Sequence, residues 1–336
     1  MKPPESIPDT QRLQDLIHGY RGTALLYGTV KLGLPEALAA GPRPVADLAL
    51  SLKLHETFLR RFLRGLVIIG IVSEHADGRI ELTAMGKNLL NPSIAAHLIV
   101  TVESHLPAWN GLADSVQTGE KAFDKIFGMT TWEHREGNPQ LNQAFNTWIG
   151  GGTAKGMKGI VDVLALPATG VVADVGGGNG TLLAEILQRH PALRGTLAEQ
   201  NHLRDQANQT FSHAGLSGRA TFAVCNFFNP LPFSADAIVL KSVLHDWDDD
   251  ACSKVLGHCR QALLPNGQIY IVERILPERP LDAPFTVMLD LQMMAVTGGQ
   301  ERTEGAYRTL LQSAGLRLDS VKQTQTGFAV LTASAR

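Results

Sequence analysis

The chain has 336 residues, 44% of them hydrophobic, which is enough for two domains with full cores and removes any need for a disulfide scaffold. Lys and Arg total 30 against 32 Asp and Glu, a formal net charge of −2, so no general field draws the chain to nucleic acid or to an anionic membrane. A small molecule or another protein is the expected partner.

Cys225, Cys252 and Cys259 have no CxxC spacing and no histidine pair on a helix beside them, so no metal site is expected and the thiols read as reduced and buried. The start, "MKPPESIPDT", is polar and Pro-rich, and the longest apolar run, "GLVIIGIV" (65–72), is too short to span a bilayer. A cytoplasmic location is expected.

In chain order, "DLIHGYRGTALLYGTVKLGLPEALAAG" carries apolar residues every three or four positions, and "PVADLALSLKL" and "HETFLRRFLRGLVIIG" are two further helices. The period then changes to two short strands, "IVSEHADGRIELT" (71–83), around a tight turn at Asp77-Gly78. Helix, helix, hairpin outlines a winged helix over residues 1–100. Arg60, Arg61 and Arg64 precede the wing, which keeps a ligand-sensing DNA-binding regulator open as a reading. Yet the region holds 11 basic and 9 acidic residues, too balanced for affinity built on phosphate neutralisation. Its apolar faces, "TALLYGTVKLGL" and "FLRGLVIIG", point instead to packing on a second protomer, a homodimer.

Residues 101–165 are largely helical and concentrate Trp109, Phe123, Phe127, Met129, Trp132, Phe145 and Trp148 in a chain with only 6% aromatics. The cluster forms a local core or the wall of a ligand pocket. "GGGT" (150–153) reads as a helix break. From residue 166 the chain alternates strands and helices in the rhythm of a doubly wound, mainly parallel α/β sheet, which binds ligands at the carboxyl ends of its strands. The C-terminal "LRLDSVKQTQTGFAVLTASAR" adds two strand-like runs, expected as an antiparallel edge.

The first strand of that sheet runs into "VVADVGGGNGTLLAEIL" (171–187), a glycine turn followed by a helix, where backbone NH groups face a ligand. Counting from Gly176, the third glycine of a dinucleotide fingerprint falls on Thr181; counting from Gly178, on Leu183. The GK[ST] ending of a phosphate-binding loop is absent too. Glu199, at the second strand end, suits a ribose, while Asn226 and Phe227, at the third, suit an adenine edge and face.

An acid, Asp174, followed by Gly-Gly-Gly-Asn-Gly resembles the first motif of S-adenosylmethionine-dependent methyltransferases. "LHDWDDDACSKVL", "IVERILP" and "GGQERT" resemble the small-molecule O-methyltransferases of the caffeic acid, hydroxyindole and bacterial phenazine or polyketide type. The resemblance covers nearly the whole chain. It implies a winged-helix dimerisation module at 1–100, a helical region at 101–165 that contributes to the acceptor pocket, and a Rossmann-like cofactor domain at 166–336. S-adenosyl-L-methionine is then the cofactor and S-adenosyl-L-homocysteine its product. Asp174, Gly176, Gly178, Glu199, Asn226, Phe227 and Lys241 fall at the cofactor.

By the same resemblance His245 is the catalytic base, flanked by Glu273 and Glu301. The chemistry agrees, because an aromatic hydroxyl with a pKa near ~10 must lose its proton during methyl transfer, and histidine beside a carboxylate is suited to take it. Asp246 and Asp248–Asp250 read as helix caps and first-turn acids. Met288, Asp290 and Met293, with Trp109, Phe127, Met129, Trp132 and Phe145, are the expected lining of a pocket for a small aromatic or polyketide-type acceptor. Two positions depart from the family: Glu199 and Asn226 stand where aspartates are usual. A relative that uses the cofactor for N- or S-methylation, or for a non-methylating reaction, is the alternative on the same fold.

Overall fold

In the computed structural model, residues 8–151 and 154–336 are described; most of the N-terminal "MKPPESIPDT" and part of the 150–153 break lie outside them. The chain forms two compact units. One runs up to Leu106 and includes Asn138–Trp148; the other comprises Pro107–Gly137 and Ile149–Arg336.

The first unit has helices Asp9–His18, Tyr20–Lys31, Leu34–Leu38, Val45–Leu52 and Glu56–Ile68 with strands β1 (Arg43–Pro44), β2 (Val72–Glu74) and β3 (Arg79–Leu82). The strands form an antiparallel sheet in the order β1-β3-β2, and Gly78 turns the hairpin at φ 80°. This is the expected helix, helix, wing. Leu34, Leu48, Leu59, Leu63, Leu66 and Ile80 are among its core. The helix Asp9–His18 buries none of its residues.

The second unit is built on strands β4 (Gly170–Val175), β5 (Leu193–Glu199), β6 (Ala220–Val224), β7 (Ala235–Lys241), β8 (Leu263–Glu273), β9 (Leu316–Gln323) and β10 (Ala329–Ala335). They lie in the order β6-β5-β4-β7-β8-β10-β9, the first five parallel and β10 antiparallel to both neighbours. β4 and β7 are mainly apolar, interrupted by Asp174 and Asp236, because both faces are covered. Helices Thr181–Arg189 and Arg204–His213 pack on one face, Asp249–Ala262 and Glu304–Ser313 on the other. The fold is thus a Rossmann-like doubly wound sheet.

Strand order reverses between β4 and β7, which run parallel but send their successors to opposite sides, and it is beside that switch point that such sheets bind ligands. Residues 101–165 do not form a third unit. Phe123 and Phe127 pack with Ala108, Ala295 and Val296 of the sheet unit, whereas Leu141, Ala144, Phe145 and Trp148 pack with Ala96 and Val100 of the first. Periodicity marks these helices equally well and says nothing about which core each face joins. Among the described residues no helix is long and apolar enough to cross a membrane.

Candidate active site

The glycine turn after β4 is needed for several different reasons. A Cβ on Gly176 would lie 2.9 Å from Val243, one on Gly177 2.3 Å from the Asp174 carboxylate, and one on Gly180 2.7 Å from Phe211. Gly178, at φ +60°, would meet nothing within 4 Å. Three glycines are therefore demanded by the protein itself, and only Gly178 borders open space.

Asp174 lies beneath this turn, fully buried, with neither carboxylate oxygen in hydrogen-bonding geometry with a partner. Burial pushes its carboxyl up to about 7, with Glu199 adding repulsion and the Lys241 charge opposing. Glu199 closes β5 and is raised by burial, while the backbone amides of Gln200 and Gly178 pull it down. Lys241, the last residue of β7, is lowered by burial against the attraction of Glu273 and Asp174, and its ammonium sits 5.1 Å from the Phe328 ring centroid. Asn226 lies two residues beyond the end of β6 and is exposed; its Oδ1 accepts the Phe228 NH at 3.0 Å, which leaves the amide NH₂ for a ligand. The Phe227 ring borders Gly176, 3.6 Å from where a Cβ would stand.

The loop that carries His245 follows β7 at the same edge. Ser242 takes the left-handed conformation, φ 53°, a cost for a non-glycine residue. This turn aims the Val243 and Leu244 NH groups at Glu273 Oε1, 3.0 and 2.9 Å away. Glu273 ends β8, and its other oxygen stands 3.8 Å from His245 Nδ1. Glu301 reaches the same nitrogen at 2.8 Å. The two acids are thus not equivalent: Glu301 bonds the imidazole, whereas Glu273 chiefly holds the loop and adds charge.

Burial draws the His245 imidazole down, but the negative charge of Glu273, Asp246 and Glu301 outweighs it and the pKa is pushed up to about 10. Glu273 is raised by burial to about 7 despite the opposing His245 charge. The Nδ1 bond to Glu301 leaves Nε2 as the nitrogen able to accept a proton.

Asp246 corrects its reading as a helix cap. Asp248 is the N-cap of the Asp249–Ala262 helix, its side chain accepting the Ala251 NH, while Asp246 Oδ1 lies 3.9 Å from His245 Nε2. Its carboxyl is raised by burial, with His245 and Arg135 pulling it down. The sequence signal was adjacency to the histidine, obscured by the acidic run that follows.

The aromatic candidates separate. Trp132 stacks on Trp247 with centroids 5.3 Å apart and planes 12° from parallel, and the Arg135 guanidinium lies 4.4 Å from the Trp132 centroid. Trp247 in turn meets Phe227 and Phe228 edge-on. The Trp109 indole NH donates to Gln292 Oε1. Phe127 is packed against Phe123 and His134, both at 4.4 Å. Phe145 belongs to the other compact unit, edge-on to Trp148. Met129 and Met288 are exposed and Met293 is buried. Asp290 Oδ1 accepts the Glu301 NH at 2.8 Å, so it supports the acid bonded to the His245 ring. Trp247 and Arg135 were missed, since a single tryptophan in a loop or a single arginine in a helical stretch carries no spacing signal.

A glycine turn with one open face and a carboxylate-flanked histidine two residues past Val243, which touches that turn, stand together at the switch point. This is the layout of a methyltransferase of the Rossmann-like class. Residues 109–317 match the O-methyltransferase domain and residues 14–92 the O-methyltransferase dimerisation domain, and the chain belongs to this S-adenosylmethionine-dependent family. It is 32% identical over 331 residues to phenazine O-methyltransferase PhzM of Lysobacter antibioticus, spanning 98% of this chain and 97% of that protein. It also resembles the crystal structure of NcsB1, an O-methyltransferase from neocarzinostatin biosynthesis solved with S-adenosylmethionine and 2-hydroxy-5-methyl naphthoic acid, at TM-score 0.83 and 30% identity over 94% of this chain and 96% of that one. A third relative, aclacinomycin 10-hydroxylase RdmB of Streptomyces purpurascens, is 34% identical over 297 residues, 86% of this chain and 79% of that protein. The fold therefore hosts more than one reaction.

Proposed function

We propose that this enzyme methylates a hydroxyl of a small aromatic or polyketide-type metabolite, with His245 as the general base. The observation that carries the reading is the 2.8 Å bond from His245 Nδ1 to Glu301, which engages Nδ1 and leaves Nε2 as the nitrogen to accept a proton. S-adenosylmethionine, when bound, supplies an electrophilic methyl group on a sulfonium and leaves as S-adenosylhomocysteine. The residues present fit that molecule: Gly178 leaves room for it, Glu199 can accept from its ribose hydroxyls, and the Asn226 NH₂ and the Phe227 ring can take its adenine. Asp174 and Lys241 support this cradle from beneath and from the end of β7.

Proton transfer then belongs to the chain's own residues. The acceptor hydroxyl gives its proton to His245 Nε2, Glu301 stabilises the imidazolium through Nδ1, and Asp246 and Glu273 add negative charge around it. The Trp132–Trp247 stack gives a flat, apolar surface suited to a ring, and Trp109, Phe127, Met129, Met288 and Met293 are the further residues we assign to the acceptor pocket. The named acceptors of the relatives, phenazine and naphthoate types, have that shape. Incubation with methyl-labelled cofactor and a panel of phenols, hydroxynaphthoates and amines checks the reading: label should appear on oxygen. Oxygenated product without label would instead favour the hydroxylase-like alternative that the RdmB relationship keeps open.

We also propose a homodimer formed through the first unit. The match to a dimerisation domain supports it, as do Leu16, Ile68 and Leu50, exposed by 79%, 86% and 83%, and an open groove of about 520 Å³ lined by Leu32, Leu54, Phe58 and Phe62. Light scattering at micromolar concentration should give twice the chain mass of 36.2 kDa, and a monomer would remove the proposal. Cytoplasmic residence is supported by three free, buried thiols.

A further inference from the structure

The loop that carries His245 is gripped from its outer side by the segment that carries Glu301. Arg302 Nη1 donates to the Leu244 carbonyl at 2.9 Å, and Nη2 to the Trp247 carbonyl at 2.8 Å, so one guanidinium spans the residues on both sides of His245. Its Nε donates to Asp249 Oδ1 at 2.8 Å, which links the grip to the first turn of the following helix. The Arg302 side chain is 1% exposed, and its partner Asp249 is 65% exposed. Arg302 is itself fixed, because its carbonyl accepts the Leu276 NH at 2.9 Å and it forms a parallel bridge with Ile275 just beyond β8.

Two further contacts converge on the same loop. Cys252 Sγ lies 3.1 Å from the Leu244 carbonyl. At Gly299 the backbone passes so close that a Cβ would stand 2.0 Å from the His245 carbonyl oxygen and 2.6 Å from the Trp247 nitrogen. On the inner side, Glu273 holds the Val243 and Leu244 NH groups. The loop is thus held by its donors from one side and by its acceptors from the other.

We propose that Arg302 is a positioning residue for the base: it sets the depth of the His245 loop and, as the neighbour of Glu301, couples that depth to the acid that orients the ring. The inference rests on His245 being the base. A buried guanidinium serves here because its planar fork bonds two carbonyls at once, which an ammonium cannot match. Its removal leaves both carbonyls without that donor and lets the loop relax by a fraction of an ångström, and displacements of that order cost catalysis far more than binding.

The test compares Arg302→Met and Arg302→Lys with the native enzyme, using a neutral phenol and a nitrophenol that is ionised at the assay pH. Arg302→Met should lower kcat on the neutral phenol by about 10–100-fold. Arg302→Lys should recover part of the loss, and calorimetric affinity for S-adenosylhomocysteine should change by less than about threefold. On the ionised acceptor the defect should shrink. In a His245→Ala background Arg302→Met should add little, since both changes remove the same function. If Arg302→Met does not fold, Arg302→Lys, which keeps the charge and part of the donor set, carries the test: its smaller loss should again fall on the neutral phenol and shrink on the ionised one. An equal loss on both acceptors, or full additivity with His245→Ala, would make Arg302 merely structural and overturn the proposal. Native-like turnover by His245→Ala itself would instead sink the reading of the base.

Discussion

Replacing His245 with alanine lowers turnover on a neutral phenol by about 10²–10⁴-fold at pH 7, the scale of general-base catalysis, while affinity for the cofactor changes little. The separation follows from placement. Val243 abuts the glycine turn, but the His245 ring is engaged with Glu301 and lies against Glu273 and Asp246 rather than against the turn. On an acceptor already ionised at the assay pH, the defect shrinks because the proton is gone before the enzyme acts. Native-like turnover by His245→Ala on the neutral phenol would refute the mechanism and move the weight to a non-methylating reaction. Because the substitution also leaves two buried carboxylates facing a cavity, a melting curve belongs beside the kinetics.

The same cluster makes a signed statement about pH. His245 is pushed up to about 10 by its acidic neighbours, so at neutral pH the ring without cofactor carries a proton and is closed as a base. Measured with saturating cofactor, kcat/KM for the acceptor therefore rises with pH on the acid side, as deprotonated histidine becomes available; the positive charge of the bound cofactor moves that limb below its position in the free protein. Among the charges that raise His245, Glu273 acts most strongly. Glu273→Gln keeps an oxygen for the Val243 and Leu244 amides but removes the charge, so the limb moves to lower pH and the loss of turnover is milder than in His245→Ala. Glu301→Gln acts in the same direction, since an amide oxygen still accepts from Nδ1 but cannot stabilise the imidazolium. A limb that stays in place in Glu273→Gln would show that Glu273 does not tune the base.

Which parts of this were legible before the structure follows from which forces are local. The parallel sheet could be read because β4, β7 and β8 are apolar runs between helical stretches, and the wing because Asp77-Gly78 turns two short alternating strands. That His245, Glu273 and Glu301 belong together was legible from their positions, each at a strand end or in a distinctive motif. Their different duties were not, since those depend on the left-handed turn at Ser242 that delivers two amides to Glu273. The helices between 101 and 165 were legible as helices, but their assignment to two separate cores depends on partners nearly two hundred residues away, such as Ala295 and Val296 for Phe123. Asp246 was misread because a capping acid and a buried acid look alike in "HDWDDD"; only Asp248 has the bond to the Ala251 NH that makes a cap.

Gly178→Val abolishes binding of S-adenosylmethionine and S-adenosylhomocysteine while leaving the far-UV circular dichroism essentially native. The three neighbouring glycines could not serve this test. A methyl group on Gly177 would press into the Asp174 carboxylate at 2.3 Å, one on Gly180 into Phe211 at 2.7 Å, and one on Gly176 into Val243 at 2.9 Å, so each of those variants disturbs the fold before it meets a ligand. At Gly178 the protein itself presents no obstacle within 4 Å. The backbone there is left-handed, φ +60°, which costs an L residue about 1–2 kcal/mol and a β-branched one the most. That strain is small against the stability of a domain whose sheet is covered on both faces, but the added isopropyl group lies in the space the turn leaves open. Gly178→Ala separates the two effects, because it carries the backbone strain with less of the bulk. A graded loss, alanine weakened and valine below detection by calorimetry, assigns the open side of Gly178 to the cofactor. Undiminished binding by Gly178→Val would place the ligand elsewhere and leave the turn with a purely structural purpose.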